Sequence, residues 1–345
     1  MANQTGLTKW LAASLLAVFV LGLAGCDNRP RERVLSFDGM TMGTGFSMKW
    51  VATDESQVAE IRADAAALLA EINRQMSTYI PDSELSRLNR SVPGQPQQVP
   101  AELMFVLQEA QRISDWTSGA FDVTVGPLVN LWGFGPDGRI VHAPEEARIE
   151  QLRTRIGYRF VRLMPENNQV LREGEQYIDL SAIAKGYGVD ALALMLEDKG
   201  IDRYLVEIGG ELRARGLKPD GESWKLAIEA PVASTERTAQ TIISLEQGAV
   251  ATSGDYRNYF EEQGVRYSHT IDPRTGHPIT HRLASVTVIR PSCAEADALA
   301  TALMVMGEEQ GYNFASKHNL AAFFISKDGE GFSTRTTAAF KAYLK

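Results

Sequence analysis

Residues 158–200 read YRFVRLMPENNQVLREGEQYIDLSAIAKGYGVDALALMLEDKG, and their pattern decides the fold class. Tyr158–Leu163, Gln169–Arg172 and Tyr177–Leu180 are short apolar-rich runs separated by polar turn residues, the signature of strands joined by turns. Asp179 then leads out of the last strand into a helix that runs to about Lys199, with Gly200 as its stop. Outward from this segment the same mixture repeats. Gln57 to Met76 places Val58, Ile61, Ala65, Leu68, Leu69 and Ile72 on one stripe of an amphipathic helix, and Ala101–Thr117 forms another that ends before Gly119. Trp224–Glu229 and Thr241–Leu245 read as strands, the first entered through Pro219-Asp220-Gly221. Arg90–Pro100 and Gly133–Glu145 are rich in Pro, Gly and polar residues and read as surface loops. No repeat, low-complexity tract or long linker divides the chain. Helices and short antiparallel strands mixed along the whole length predict an α+β fold in one large domain, not a doubly wound parallel sheet.

The chain has 345 residues, with 35 basic against 43 acidic side chains and 44% hydrophobic content. A mildly acidic chain lacks the basic face that nucleic-acid phosphates require, so no nucleic-acid partner is expected. Residues 1–25 read as a secretory signal: Lys9 precedes an apolar core, Trp10 to Leu21, that falls short of the roughly 20 residues of a bilayer span. Leu23-Ala24-Gly25-Cys26 closes the segment and resembles a bacterial lipoprotein box. That resemblance implies cleavage before Cys26 and lipidation of its thiol, and Asp27 resembles an inner-membrane retention signal. An ordinary signal peptide followed by a chance cysteine is the competing reading. Residues 26–33 would form a polar tether and 34–345 the catalytic domain, held at the periplasmic face of the inner membrane. Loss of Lys9 with the leader takes the formal charge from −8 to −9. With Cys26 acylated, Cys293 has no intramolecular partner, so the core must hold the fold.

The chemistry concentrates between His269 and Thr301. His269-Thr-Ile-Asp272-Pro-Arg274-Thr-Gly276 reads as a turn carrying an imidazole that titrates near neutrality. Ser292-Cys-Ala-Glu295 fits a capping box, which starts a helix near Cys293; Gly307 stops it after Met306. Asp297 and Thr301 then lie at i and i+4 on one face, where a carboxylate and a hydroxyl can share a hard dication if a third oxygen comes from elsewhere. By themselves they have a plainer explanation, since Asp in a first turn complements the helix dipole and Thr bonds back to a carbonyl. Base and oxygen ligands together point to phosphate-ester chemistry. Gly186 and Gly188 each cost about 1 kcal/mol against alanine inside a helix, so they serve either the close approach of another backbone or a ligand, or tight helix-on-sheet packing.

Nine segments in order resemble the ApbE family of FAD:protein FMN transferases, across roughly residues 34–345. They are Thr41-Met42-Gly43-Thr44, Met76–Tyr79 with Ser83–Asn89, Gly119–Leu128, Leu131–Gly135, Asp179–Asp190, Glu207–Glu211, Ala251–Tyr256, Ser268–Gly276 and Ala296–Gly307. The resemblance implies a Mg²⁺-dependent enzyme that splits FAD, releases AMP and attaches FMN through a phosphoester to a Thr or Ser of an acceptor redox protein. It places Met42, Tyr79, Ala120, Phe121, Asp122, Ser181, Tyr187 and Ile271 on FAD, and Ala184, through its carbonyl, with Asp297 and Thr301 on the metal. His269 is the base that takes the proton of the acceptor hydroxyl. Met42, Phe121 and Ile271 also suit ordinary core packing, and His269 could instead fix its own turn. Asp272 and Arg274 read mainly as turn-forming, with Arg274 near phosphate. Lys185 and Ala300 stand where some relatives carry acids, and the change at Ala300 disfavours a second tightly bound metal. Tyr79 resembles the transferase branch and argues against an FAD pyrophosphatase releasing FMN and AMP. A non-catalytic flavin-binding lipoprotein is the third reading. A Ser253, His269, Asp272 triad is a fourth, without the Gly-x-Ser-x-Gly elbow that would support it.

Overall fold

The structure is a computed structural model that describes residues 31–344 apart from 137, 141, 232–237, 256–258, 263 and 330. Residues 1–25, expected to be a secretory leader, Cys26, the expected tether up to residue 30 and Tyr256 lie outside the described residues. No described helix is long and apolar enough to cross a membrane.

An eight-stranded sheet forms the frame. Its strands neighbour one another in the order Arg33–Thr41, Thr44–Ala52, Tyr204–Ile208, Glu211–Arg215, Gln247–Gly254, Leu283–Arg290, Ala321–Asp328 and Gly331–Thr336. Spatial order is chain order, and every pair is antiparallel. The fold is therefore one meander with excursions inserted between its strands. The largest, residues 53–203, contains the helices Val58–Met76 and Ala101–Trp116, a small sheet of Gln97–Gln98, Gln169–Arg172 and Val161–Met164, and the helix Ala184–Asp198. Two hairpins, Trp224–Glu229 with Ala239–Leu245 and Tyr259–Glu262 with Val265–Ser268, form separate two-stranded sheets. This is the α+β, mainly antiparallel single domain that the mixed pattern predicts.

Burial explains the assembly. Met48, Trp50, Tyr204, Val206 and Ile208 on the sheet pack against Ile61, Ala65 and Leu69 of the first long helix and Val189, Leu192 and Leu196 of the Ala184–Asp198 helix. Each such fully buried side chain contributes about 2–3 kcal/mol. The opposite sheet face is closed by the Trp224–Leu245 hairpin, with Phe323, Ile325 and Phe340 beneath it.

Two local expectations change. Tyr177–Leu180 is no strand; Tyr177 forms an isolated parallel bridge to Val125. Tyr158–Phe160 is a 3₁₀ turn that precedes the strand Val161–Met164. The C-terminal helix breaks at Gly307, as expected, with φ 79° and ψ −178°, and a second helical stretch follows directly to Lys317. His281 seals the break: its Nε2 lies 2.8 Å from the Met304 carbonyl, and its ring fills the space a Cβ on residue 307 would need.

Candidate active site

A cleft of about 990 Å³ opens where the first long helix, the Ala184–Asp198 helix and the C-terminal helix meet the sheet. Of the residues expected on FAD, Met42, Tyr79, Ala120, Phe121, Asp122, Ser181 and Ile271 line it; Ala184, Asp297, Thr301 and His269 line it too. Tyr187 does not. Its half-buried ring packs toward Phe105, centroids 6.1 Å apart, on the flank of the core rather than in the cleft.

Thr41 to Thr44 close the first hairpin in two residues, Met42 at φ 49° and Gly43 at φ 72°, the left-handed pair of a type I′ turn. A left-handed methionine costs about 1–2 kcal/mol. It persists because its side chain reaches the cleft beside Gly188, where a Cβ would lie 3.2 Å from Met42 Cε and 3.0 Å from Ile208 Cδ1. Gly186 answers to a different neighbour. A Cβ there would lie 2.7 Å from the Cys293 carbonyl carbon and 2.8 Å from Ala294 Cα, so this glycine lets two helix backbones touch. Gly186 thus serves helix-on-helix contact, and Gly188 leaves room for Ile208 of the sheet and for the Met42 side chain.

The contact between those helices organises the charged floor. The Gly186 N–H donates to Asp297 Oδ2 at 3.1 Å. Lys185 Nζ lies 2.6 Å from Glu211 Oε1 and 4.0 Å from Asp297 Oδ1. Asp297 and Glu211 are 5% and 3% exposed, and Glu211 Oε2 has no hydrogen-bond partner. Burial raises the Asp297 carboxyl above its ordinary value, against the pull of Lys185 and the Gly186 N–H. Burial also pushes Glu211 up to about 7, with Lys185 opposing. Burial works against the Lys185 charge, but Asp297 and Glu211 outweigh it and hold the ammonium firmly protonated.

Other polar residues of the cleft are held from behind. Asp122 accepts from Thr124 N and Oγ1 at 2.8 and 2.6 Å and from Tyr158 N at 3.0 Å, so it braces its own loop. Asp179 accepts from Ser181 N at 2.8 Å and from its hydroxyl at 2.6 Å, fixing that side chain. Tyr79 stands at the rim, 64% exposed. His269 follows the strand Val265–Ser268 into the cleft, and Phe134 meets its ring edge-on at 6.2 Å. Asp272 is turn-forming, as expected: its carboxylate accepts from Arg274 N, Nε and NH2 at 2.8–2.9 Å, and its carbonyl accepts from Gly276 N at 2.8 Å. Arg274 is thereby tied to Asp272, and neither residue lines the cleft. With its carboxylate bonded to Arg274, Asp272 does not line the cleft as Ser253 and His269 do.

Lys185 and Glu211 are the functional-site residues whose partnership the sequence conceals. Residues 207–211 were legible as a motif, but nothing in the spacing connects position 211 with 185 and 297. Phe134 is a third such residue.

A divalent cation has a plausible seat here. Among the described residues no group of three His, Cys, Asp or Glu can hold a metal. The donor set is of another kind: one carboxylate, one hydroxyl one turn later and the Ala184 segment on the facing helix, all lining the same cleft. These hard oxygens fit Mg²⁺ rather than a thiophilic or imidazole-seeking metal. The unpartnered Glu211 oxygen adds negative charge close by.

The sequence profile of the ApbE family matches residues 42–324. A FAD:protein FMN transferase of Vibrio cholerae is 46% identical over 340 residues, covering 97% of this chain and 99% of that protein. Another of that name from Escherichia coli K12 is 38% identical over 343 residues, 97% and 96% of the two chains. The crystal structure of Pseudomonas stutzeri flavinyl transferase ApbE in its apo form superimposes with a TM-score of 0.84 at 41% identity, covering 91% of this chain and 97% of that one. The chain belongs to the ApbE family.

Proposed function

We propose that the protein is an FAD:protein FMN transferase that moves FMN from FAD to a Thr or Ser hydroxyl of an acceptor redox protein, forming a phosphoester and releasing AMP. One observation carries this reading: a single cleft gathers His269, the Asp297–Thr301 face and seven of the eight residues expected on FAD. Apolar walls from Met42, Phe121 and Ile271 suit a flat ring system, and the polar floor suits its pyrophosphate. Ala184, Asp297 and Thr301 would hold Mg²⁺, which when bound neutralises charge on the phosphates.

The protein's own groups account for the remaining steps. Lys185, kept protonated between two buried carboxylates, presents a fixed positive charge to a polyanionic substrate. His269 takes the proton from the acceptor hydroxyl as its oxygen attacks the FMN phosphorus, and the bond to the AMP phosphate breaks. Tyr79 at the rim shields that phosphorus from water, so that a protein hydroxyl rather than hydroxide completes the displacement. We also propose that Cys26 is acylated and that the domain works tethered to the periplasmic face of the inner membrane.

The test combines mature protein, FAD, Mg²⁺ and a flavin-accepting redox domain, followed by AMP detection and in-gel flavin fluorescence. Fluorescence on the denatured acceptor supports transfer. Free FMN alone supports hydrolysis, and unchanged FAD supports a binding protein.

A further inference from the structure

A second cleft, of about 680 Å³, shares no lining residue with the first. Strand register builds its wall. Ala249 is the cross-strand partner of both Arg213 and Arg290, so the three lie side by side on neighbouring strands. Partners across strands share a face and strands lie about 4.8 Å apart, which sets two arginines about 10 Å apart with only a methyl group between them. Arg215, two residues along from Arg213, faces the same way and pairs in register with Tyr204 and Gln247.

Glu197 is the one acid among the described residues that line this cleft. Arg213 and Arg215 both meet it, at 3.3 and 2.9 Å. Arg213 also meets Asp190 at 2.9 Å, and Arg290 meets Glu295 at 2.9 Å. These pairs engage one or two nitrogens of each arginine, and a guanidinium carries five donors. The Arg290 Nε is enclosed without any partner. Three arginines lining one cleft, with guanidinium donors beyond those used in these pairs, suit phosphate, whose oxygens a guanidinium engages two at a time.

The path of the chain indicates whose phosphate. Arg203, adjacent to Tyr204 of the cleft, pairs with Glu32, which lies six residues after Cys26. Six extended residues reach at most about 20 Å. We propose that this cleft binds the phosphate of an anionic phospholipid headgroup and so orients the tethered protein on its membrane, an inference that rests on the anchored location proposed above.

The experiment titrates the full mature protein with soluble dihexanoyl-phosphatidylglycerol, its phosphatidylcholine counterpart and inorganic phosphate, by calorimetry. The Arg215→Gln, Arg290→Gln double variant serves as the cleft mutant, and its rate of flavin transfer to a soluble acceptor reports that the fold is intact. Saturable binding of the anionic lipid is expected, with about tenfold weaker binding by the double variant, as loss of contacts to a charged group entails. An unchanged affinity in the double variant overturns the assignment to this cleft. Phosphate binding as tight as that of the anionic lipid, or equal binding of both lipids, overturns the headgroup. Because the probe is soluble, these outcomes do not depend on acylation, which the mass of the residue at position 26 reports separately.

Discussion

The N–H of Gly186 donates to the carboxylate of Asp297 at 3.1 Å, and the same glycine has no room for a side chain against the Cys293–Ala294 backbone. One residue thus sets both the spacing of two helices and the aim of the central acid. Gly186→Ala forces backbone against backbone, which costs about 1–3 kcal/mol in a packed interior. Urea unfolding will show that loss, and the apparent affinity for Mg²⁺ will weaken as Asp297 shifts. Wild-type stability in this variant would contradict the contact.

His269→Ala removes the proposed base without touching the apolar walls. Transfer is expected to fall by about 100- to 10,000-fold, the range typical of lost general-base catalysis, while FAD affinity stays within a few-fold. Near-normal turnover with normal FAD binding would remove His269 from the mechanism.

Tyr79→Ala tests water exclusion. The ring is exposed at the rim, so its loss should leave the fold untouched and raise the ratio of free FMN to protein-bound FMN. Chromatography of the products measures that ratio; an unchanged ratio would mean that Tyr79 does not decide between hydroxyl and water.

Glu211 supplies a pH dependence. Burial raises its folded-state pKa from 4.5 to about 7, so the folded protein holds this proton more tightly than the unfolded chain does. Its stabilising contribution is complete below pH 4.5 and is lost as pH rises through about 7. Glu211→Gln should therefore flatten the fall in metal-free stability between those limits. A variant whose denaturation midpoints follow the wild-type curve across that window would show that Glu211 does not titrate there.

Much of this was readable from residue order, for identifiable reasons. The stripe from Val58 to Ile72 and the capping box at Ser292 are local patterns, and the helices Val58–Met76 and Cys293–Lys317 start close to where those patterns place them. Asp297 and Thr301 share a helix face by spacing alone. The stop at Gly307 is equally local, whereas the bond to the Met304 carbonyl beside it comes from His281, 23 residues earlier. The Lys185–Glu211 pair joins two separated segments, and the role of Gly186 depends on a backbone more than a hundred residues away. Tyr177–Leu180 has strand composition, yet Tyr177 forms an isolated bridge. Long-range partners decide these cases, and no local period encodes them.

The most direct measurement is the intact mass of a purified acceptor domain after incubation with this protein, FAD and Mg²⁺. The expected result is a gain equal to one FMN joined through a phosphoester at a Thr or Ser, with one AMP released per acceptor and no gain when EDTA replaces Mg²⁺. An acceptor of unchanged mass, while FAD is cleaved to free FMN and AMP, would contradict transfer and leave hydrolysis in its place.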